Sequence, residues 1–352
     1  MTVRLASIQL LRAVAALFVV VAHQAGALAR LGAPNATFDL SFGTFGVDLF
    51  FVISGFIMVY TSEELFGRPG ALREFAGRRL LRIVPLYWGL TTLLIVIWVG
   101  WFGWFGEKLP ELMTWKLILG SYFFVPVPRP HNGEILPLLS VGWTLNYEMF
   151  FYCLFAAALF LRRNAATLIL SAAIFAISAL SFEQAPMSVW SSGLICEFAF
   201  GMWIAILYRA GWRVSPLISG AMIVSGFVIA IGTYMEIIAV PRVAGWGIAA
   251  TLIVLAATIC RTNLEGRHWL LPLIALGDAS YALYLVHPFI PSALKALRVV
   301  SIFEPSRHAL LFSVISVCVS IGAAFLLNAF DKKAQAHIRG RLGRARSVPA
   351  SN

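Results

Sequence analysis

Apolar residues run along this chain in blocks of about twenty, separated by short polar or Gly/Pro-rich links, and about 20 apolar residues carry a helix across hydrocarbon. Ten blocks meet that length: 6–28, 45–62, 83–105, 138–161, 166–182, 188–208, 216–235, 239–260, 272–293 and 308–330. The pattern predicts an all-α fold, a polytopic transmembrane helix bundle of about ten spans. Two blocks are imperfect. The second carries Asp48, and the ninth is interrupted by Gly277, Asp278, His287 and Pro288. Polar groups at membrane depth are costly, so such interruptions mark either function or a helix end. The longest link, 106–137, holds five prolines and a semi-apolar stretch, Leu117–Val125, which is expected to fold back against the outer surface. No internal repeat or low-complexity segment is visible.

Composition narrows the class. The 352 residues are 60% hydrophobic and 12% charged, with a mean hydropathy of +0.85. Soluble domains carry about 25% charged residues, so a cytosolic enzyme, a secreted disulfide scaffold, a disordered chain and a nucleic-acid-binding domain are all excluded. The net charge of +11 therefore bears on topology. With the N-terminus placed inside, 18 of the 27 Lys and Arg residues fall on the inner side, 8 on the outer side, and Arg12 inside the first block. That asymmetry predicts ten spans with both termini cytoplasmic. A cleavable signal peptide is a rival reading of the first block, but Arg12 lies within the apolar run rather than before it. Cys153, Cys196, Cys260 and Cys318 lie in apolar runs without metal-ligand spacing, which reads as packing and predicts neither metal nor disulfide.

Several polar residues stand out against this background. Arg12 and His23 are eleven residues apart, so a helix puts them on one face about 16 Å apart along its axis. Either they form a functional stripe, with histidine suited to proton transfer near neutral pH, or Arg12 snorkels and His23 caps the helix. Arg78, Arg79 and Arg82 precede the third block, with Pro85, Tyr87 and Trp88 after them. They read as an anion site at a helix N-terminus for a phosphate-bearing ligand, or as inner-surface anchoring with an aromatic belt. Asp48 and the Ser54-Gly55 pair lie in the second block; Ser54 is not in a Gly-x-Ser-x-Gly elbow, so no serine hydrolase is signalled. Trp143 opens a segment that places Glu148 in an apolar helix, where it needs a cation, hydrogen bonds or a proton; Arg12 or a loop arginine is the expected partner. Ser280, Tyr284 and His287 share a helical face, and Glu197 lies in an apolar segment.

Taken in order, Arg12-x10-His23, Phe50-Phe51-Val52-Ile53-Ser54-Gly55-Phe56, Arg79-x-x-Arg82-Ile-x-Pro85, Trp143-x-Leu145-x-x-Glu148 and Ser280-Tyr281-x-Leu283-Tyr284-x-x-His287 resemble the acyltransferase 3 family of membrane O-acyltransferases. The resemblance is to short bacterial members that decorate exopolysaccharide. It covers roughly 5–330, and so implies a transmembrane domain, 1–330, followed by a basic cytoplasmic tail, 331–352. It implies transfer of an acyl group, acetyl being the commonest, from cytoplasmic acyl-CoA to a sugar hydroxyl of a glycan or lipid-linked oligosaccharide, in the bacterial inner membrane. Membrane lipids and polysaccharide biosynthesis machinery are the implied partners, with no nucleic acid. His23, Arg12 and Glu148 are then the catalytic candidates. Arg78, Arg79 and Arg82 are the candidates for binding coenzyme A, and Asp48, Ser54, Trp143, Tyr284 and His287 are substrate-binding or structural. His23 would act as general base or as a transient acyl carrier. A transporter or flippase using the same buried charges, and a non-catalytic export subunit, are the competing readings.

Overall fold

The computed structural model describes residues 5–30, 39–105, 110–261, 264, 267–297 and 308–346. Among them there are helices and no strands, with two isolated bridges, Pro128 to Ile135 and Val214 to Cys260. The α-helices are α1 (Ala6–Arg30), α2 (Phe45–Thr61), α3 (Ala71–Phe105), α4 (Trp115–Tyr122), α5 (Trp143–Ala158), α6 (Arg163–Ala179) and α7 (Met187–Trp190). They continue with α8 (Cys196–Arg209), α9 (Pro216–Tyr234), α10 (Ile248–Ile259), α11 (Leu271–Asp278), α12 (Ser280–Val286), α13 (Phe289–Ala296) and α14 (Ala309–Arg346).

Each predicted apolar block falls on helix, but the lengths differ from expectation. Among the described residues, five stretches are single helices long and apolar enough to cross a membrane: α1, α2 with the turn before it, α3, α9 and α14. Joining α11 and α12 across their 50° bend makes a sixth. The others are shorter for local reasons. The fourth block begins its α-helix only at Trp143, after Pro137 and a 3-10 turn at Ser140–Gly142. The sixth is divided by Ser191 and Ser192 between α7 and α8. The eighth enters α10 through a π-helical turn, Val243–Gly247.

Two blocks extend past their predicted ends. Helix α3 starts at Ala71, more than two turns before Arg79, because the arginines are themselves good helix formers. Helix α14 continues unbroken past Phe330 to Arg346. Arg4, Lys108, Arg298 and Arg307, all counted in the topology argument, lie outside the described residues, as does the chain after Arg346. In the long link, Leu117–Tyr122 is part of α4, which packs against α3: Trp88 Nε1 donates to the Tyr122 carbonyl at 2.9 Å.

The bundle centres on α1 and α2. Helix α2 packs most extensively against α8, and glycine makes that possible, since a Cβ on Gly55 would lie 2.0 Å from the Phe198 carbonyl oxygen and one on Gly201 would lie 2.0 Å from that of Val52. The Ser54-Gly55 pair thus lets two backbones meet while Ser54 faces the other way. The gap beside them is filled by Phe51, Phe151 and Phe198, stacked at 4.7 and 4.5 Å between centroids. Helix α1 runs along α11 and α12, again through a glycine: a Cβ on Gly277 would lie 2.0 Å from the Gln9 carbonyl oxygen. This packing fixes α12, and with it Ser280, Tyr284 and His287, against the polar stripe of α1.

Candidate active site

The polar residues of α1 meet those of the broken helix pair by pair. Arg12, nearly buried, donates to Ser280 Oγ at 2.9 Å, and His23 stands 4.9 Å centroid to centroid from His287, edge to face. Both contacts lie on the face predicted from the eleven-residue spacing. His23 is exposed, while His287 is buried. The Nδ1 of His23 lies 2.8 Å from the Val19 carbonyl oxygen, which can only accept; Nδ1 therefore carries the proton, and Nε2 is the basic position.

Glu148 is compensated by hydrogen bonds, one of the three expected ways, but not by the expected arginine. Its Oε1 accepts from Ser54 Oγ at 3.1 Å and from the Tyr152 hydroxyl, while the guanidinium of Arg12 goes to Ser280. Hydroxyls can hold a buried carboxylate without a touching cation because they donate to it directly. Tyr152 was missed in the sequence, although its position four residues after Glu148 puts it one turn away on the same face.

The arginines before Pro85 are also arranged differently from prediction. They lie inside α3, where the backbone N–H groups are already bonded, so they form no helix-terminal anion site and any phosphate must be met by guanidinium groups. Arg79 donates to Thr61 Oγ1 at 2.7 Å and packs over Phe75 and Tyr152. Arg78 is tied to Glu74, which also binds Arg68. Arg78 is thereby partly neutralised, and Arg79 and Arg82 are the better placed of the three.

These groups border two neighbouring spaces that share part of their walls. The larger is a cleft of about 1060 Å³ at the Arg12 end of α1, whose walls include Arg73, Arg78, Arg79, Arg82, Arg209 and Arg339. Glu63, Glu64, Glu74, Asp278 and Asp331 are on its walls as well. The ends of α2 and α8 and the beginning of α3 meet here, with Glu63 bridging Arg163 at 2.8 Å and Arg209 at 2.7 Å. Residues assigned by alternation to one face of the bundle thus gather at one end. Beyond the cleft is a cavity of about 80 Å³. Arg12, Ile57, Arg82 and Tyr281 line both, so they form the threshold between them. Ser54, Glu148, Ser280 and Tyr284 line the cavity. The Tyr284 hydroxyl donates to the Val141 carbonyl at 2.8 Å and accepts from Thr144 at 3.0 Å, leaving its ring as a wall 6.1 Å from the His287 ring.

Asp48 and Trp143 are not brought to this cavity. Asp48 is fully buried and takes hydrogen bonds from Arg242 Nε at 3.1 Å and Nη2 at 2.7 Å, and Arg242 in turn lies over Trp246. Both oxygens of the nearby Glu197, also fully buried, have no hydrogen-bond partner among the described residues. Trp143 packs on Phe51 and Tyr147. On the same side, outside the helices, Asp39 accepts from Tyr234 and Ser41, which holds its carboxyl below the usual carboxylate range. Among the described residues no group of three or more His, Cys, Asp and Glu could hold a metal ion.

The family profile described as an acyltransferase domain, acyltransferase 3, matches residues 5–329, nearly the whole of this constellation. The chain belongs to the acyltransferase 3 family. This acyltransferase is 36% identical over 290 residues to the exopolysaccharide production protein ExoZ of Rhizobium meliloti (strain 1021), covering 80% of the chain and 86% of that relative. It is 26% identical over 271 residues to the acyltransferase MdmB of Streptomyces mycarofaciens, covering 70% of the chain and 67% of that relative. No solved structure matches it. As a member of the family the protein is a membrane acyltransferase, and the buried polar groups described above are the ones around which acyl transfer has to be explained.

Proposed function

We propose that this acyltransferase takes its acyl group, acetyl, from cytoplasmic acyl-CoA and transfers it to a sugar hydroxyl of an exopolysaccharide or another cell-surface glycan. It does so in the bacterial inner membrane, through ten crossings with both termini cytoplasmic and a tail from about 331 onward on that side. The observation that carries the reading is the continuous lining from the basic cleft, over Arg12, Arg82 and Tyr281, into a small cavity that ends at Tyr284, beside the histidines. Guanidinium groups suit the phosphates of coenzyme A, and the small cavity that shares Arg12, Ile57, Arg82 and Tyr281 with the cleft suits the tip of the pantetheine arm. The cleft is the cytoplasmic end because the positive-inside residues gather there. The exopolysaccharide acceptor is drawn from the name of the Rhizobium meliloti relative, and the exposed His23 at the opposite end supports an acceptor arriving from outside.

In this reading Nε2 of His23 takes the proton of the sugar hydroxyl as the hydroxyl oxygen attacks the acyl carbon. The carbon–sulfur bond then breaks, and the thiolate of coenzyme A leaves and receives that proton. Arg12, about 16 Å from His23 along the helix axis, holds the donor at the threshold, and Glu148, held by Ser54 and Tyr152, keeps the field around Arg12 balanced.

The test is transfer of label from acetyl-CoA to the native glycan or a lipid-linked oligosaccharide by the purified protein in nanodiscs. Wild-type protein is expected to form a base-labile ester, and His23→Ala to lose about 10²- to 10⁴-fold in rate, the range for a lost acid–base group. Wild-type rates in His23→Ala would overturn the role of the histidine. Failure of coenzyme A to bind, with the arginines intact, would overturn the donor.

A further inference from the structure

The cavity beyond the Arg12 threshold is small, and its size has a chemical meaning. At about 80 Å³ it is roughly half the volume of an apolar cavity that admits benzene, about 150 Å³. Its entrance is polar, with Arg12 donating to Ser280 and Arg82 alongside. Most of its wall is apolar, with Val47, Phe50, Ile53, Leu145 and the Tyr284 ring, and Ser54, Thr144 and Glu148 stand among them. Phe50 and Tyr284 close the far side edge to face, with centroids 6.2 Å apart, and the Tyr284 hydroxyl is pinned by Val141 and Thr144, so that wall is held in place. The nucleotide end of a coenzyme A ester needs the large cleft, so only the tip of its arm can pass the threshold.

From this geometry we infer that the cavity is an acyl-length filter. It accepts an acyl group of two or three carbons, and Phe50 and Leu145 are the specificity-determining residues that exclude longer chains. A four-carbon dicarboxylate is rejected twice, since it overfills the space and would bring its free carboxylate into a mostly apolar wall that already holds the Glu148 carboxylate. The inference rests on the acyl-CoA donor proposed above and names the donor class within it: acetyl and propionyl, with succinyl and fatty acyl groups excluded.

The experiment is a donor ladder of acetyl-, propionyl-, butyryl-, succinyl- and octanoyl-CoA, each assayed for kcat/KM with wild-type protein and with Phe50→Ala and Leu145→Ala. Wild type is expected to use acetyl- and propionyl-CoA within a few-fold of each other. It should lose at least about tenfold at butyryl, the cost of overpacking one methylene-sized excess, and more at succinyl and octanoyl. Each enlarged cavity should raise the butyryl-to-acetyl ratio by about tenfold or more, a readout independent of how much folded protein each variant yields. A flat ladder in wild type, or ratios unmoved in both variants, would overturn the filter while leaving the donor intact. Transfer from none of the five esters would overturn the donor reading and the filter with it.

Discussion

Two buried charge centres sit within this bundle, and they are satisfied in opposite ways. Asp48 closes directly on Arg242, takes two of its hydrogen bonds, and borders neither the cleft nor the small cavity. Arg12 and Glu148 each turn to hydroxyl groups instead, Arg12 to Ser280 and Glu148 to Ser54 and Tyr152, and both face the cavity. A carboxylate closed on an arginine has spent its bonding capacity on structure. A charge supported by hydroxyls keeps lone pairs or N–H groups to offer a substrate, and the space beside it shows where the substrate would go. The difference separates two groups of buried polar residues that hydropathy treats alike.

The largest effect should come from breaking the closed pair. Arg242→Ala leaves Asp48 without its cation, close to Glu197; a fully buried charge left so costs about 3–5 kcal/mol, and because the Arg242 side chain is 39% exposed, water entering its place brings the expected cost to the low end, about 3 kcal/mol. Thermal unfolding in nanodiscs should show it, and Arg242→Ala combined with Asp48→Asn should recover most of the loss. Arg12→Met tests the open centre in the other direction. It should lower the rate of acyl transfer by about 10²- to 10³-fold, as for loss of one preorganised charge, with a smaller loss of stability because Ser54 and Tyr152 still hold Glu148. If the two variants exchanged these outcomes, the distinction between closed and open centres would fail.

The same distinction explains what was legible in the sequence. Helical periodicity alone put Arg12 and His23 on one face, and Ser280, Tyr284 and His287 on another, because three- and four-residue spacing survives any packing arrangement. The meeting of those two faces was not legible, since it depends on Gly277 admitting the α1 backbone, a contact 268 residues apart in the case of Arg12 and Ser280. The partner of Asp48 was unreadable for the same reason: Arg242 counted only as an outer positive charge. The start of α3 was misjudged because hydropathy marks where a helix enters lipid, whereas arginine lets the helix begin earlier, in water. Arg163 and Arg209, read only as loop charges in the sequence, are held together by Glu63, a partner that hydropathy could not supply.

The smallest effect concerns how the open centre is shared. Glu148 has two hydroxyl donors, so removing one should be graded where loss of Arg242 is abrupt. Ser54→Ala removes a hydrogen bond to a charge, worth about 1.5–3 kcal/mol in a sealed interior. Here Ser54 and Glu148 both line the cavity, and a water entering it replaces much of that bond, which brings the expected cost down to about 1 kcal/mol. Tyr152→Phe should cost more, because Tyr152 lies buried on the protein side of Glu148, where its hydroxyl leaves no opening for water. Unfolding temperatures of the two single variants and the double variant decide it. A Ser54→Ala loss as large as that of Arg242→Ala would mean that Glu148 is held as tightly as Asp48, and that the cavity face is a structural seam.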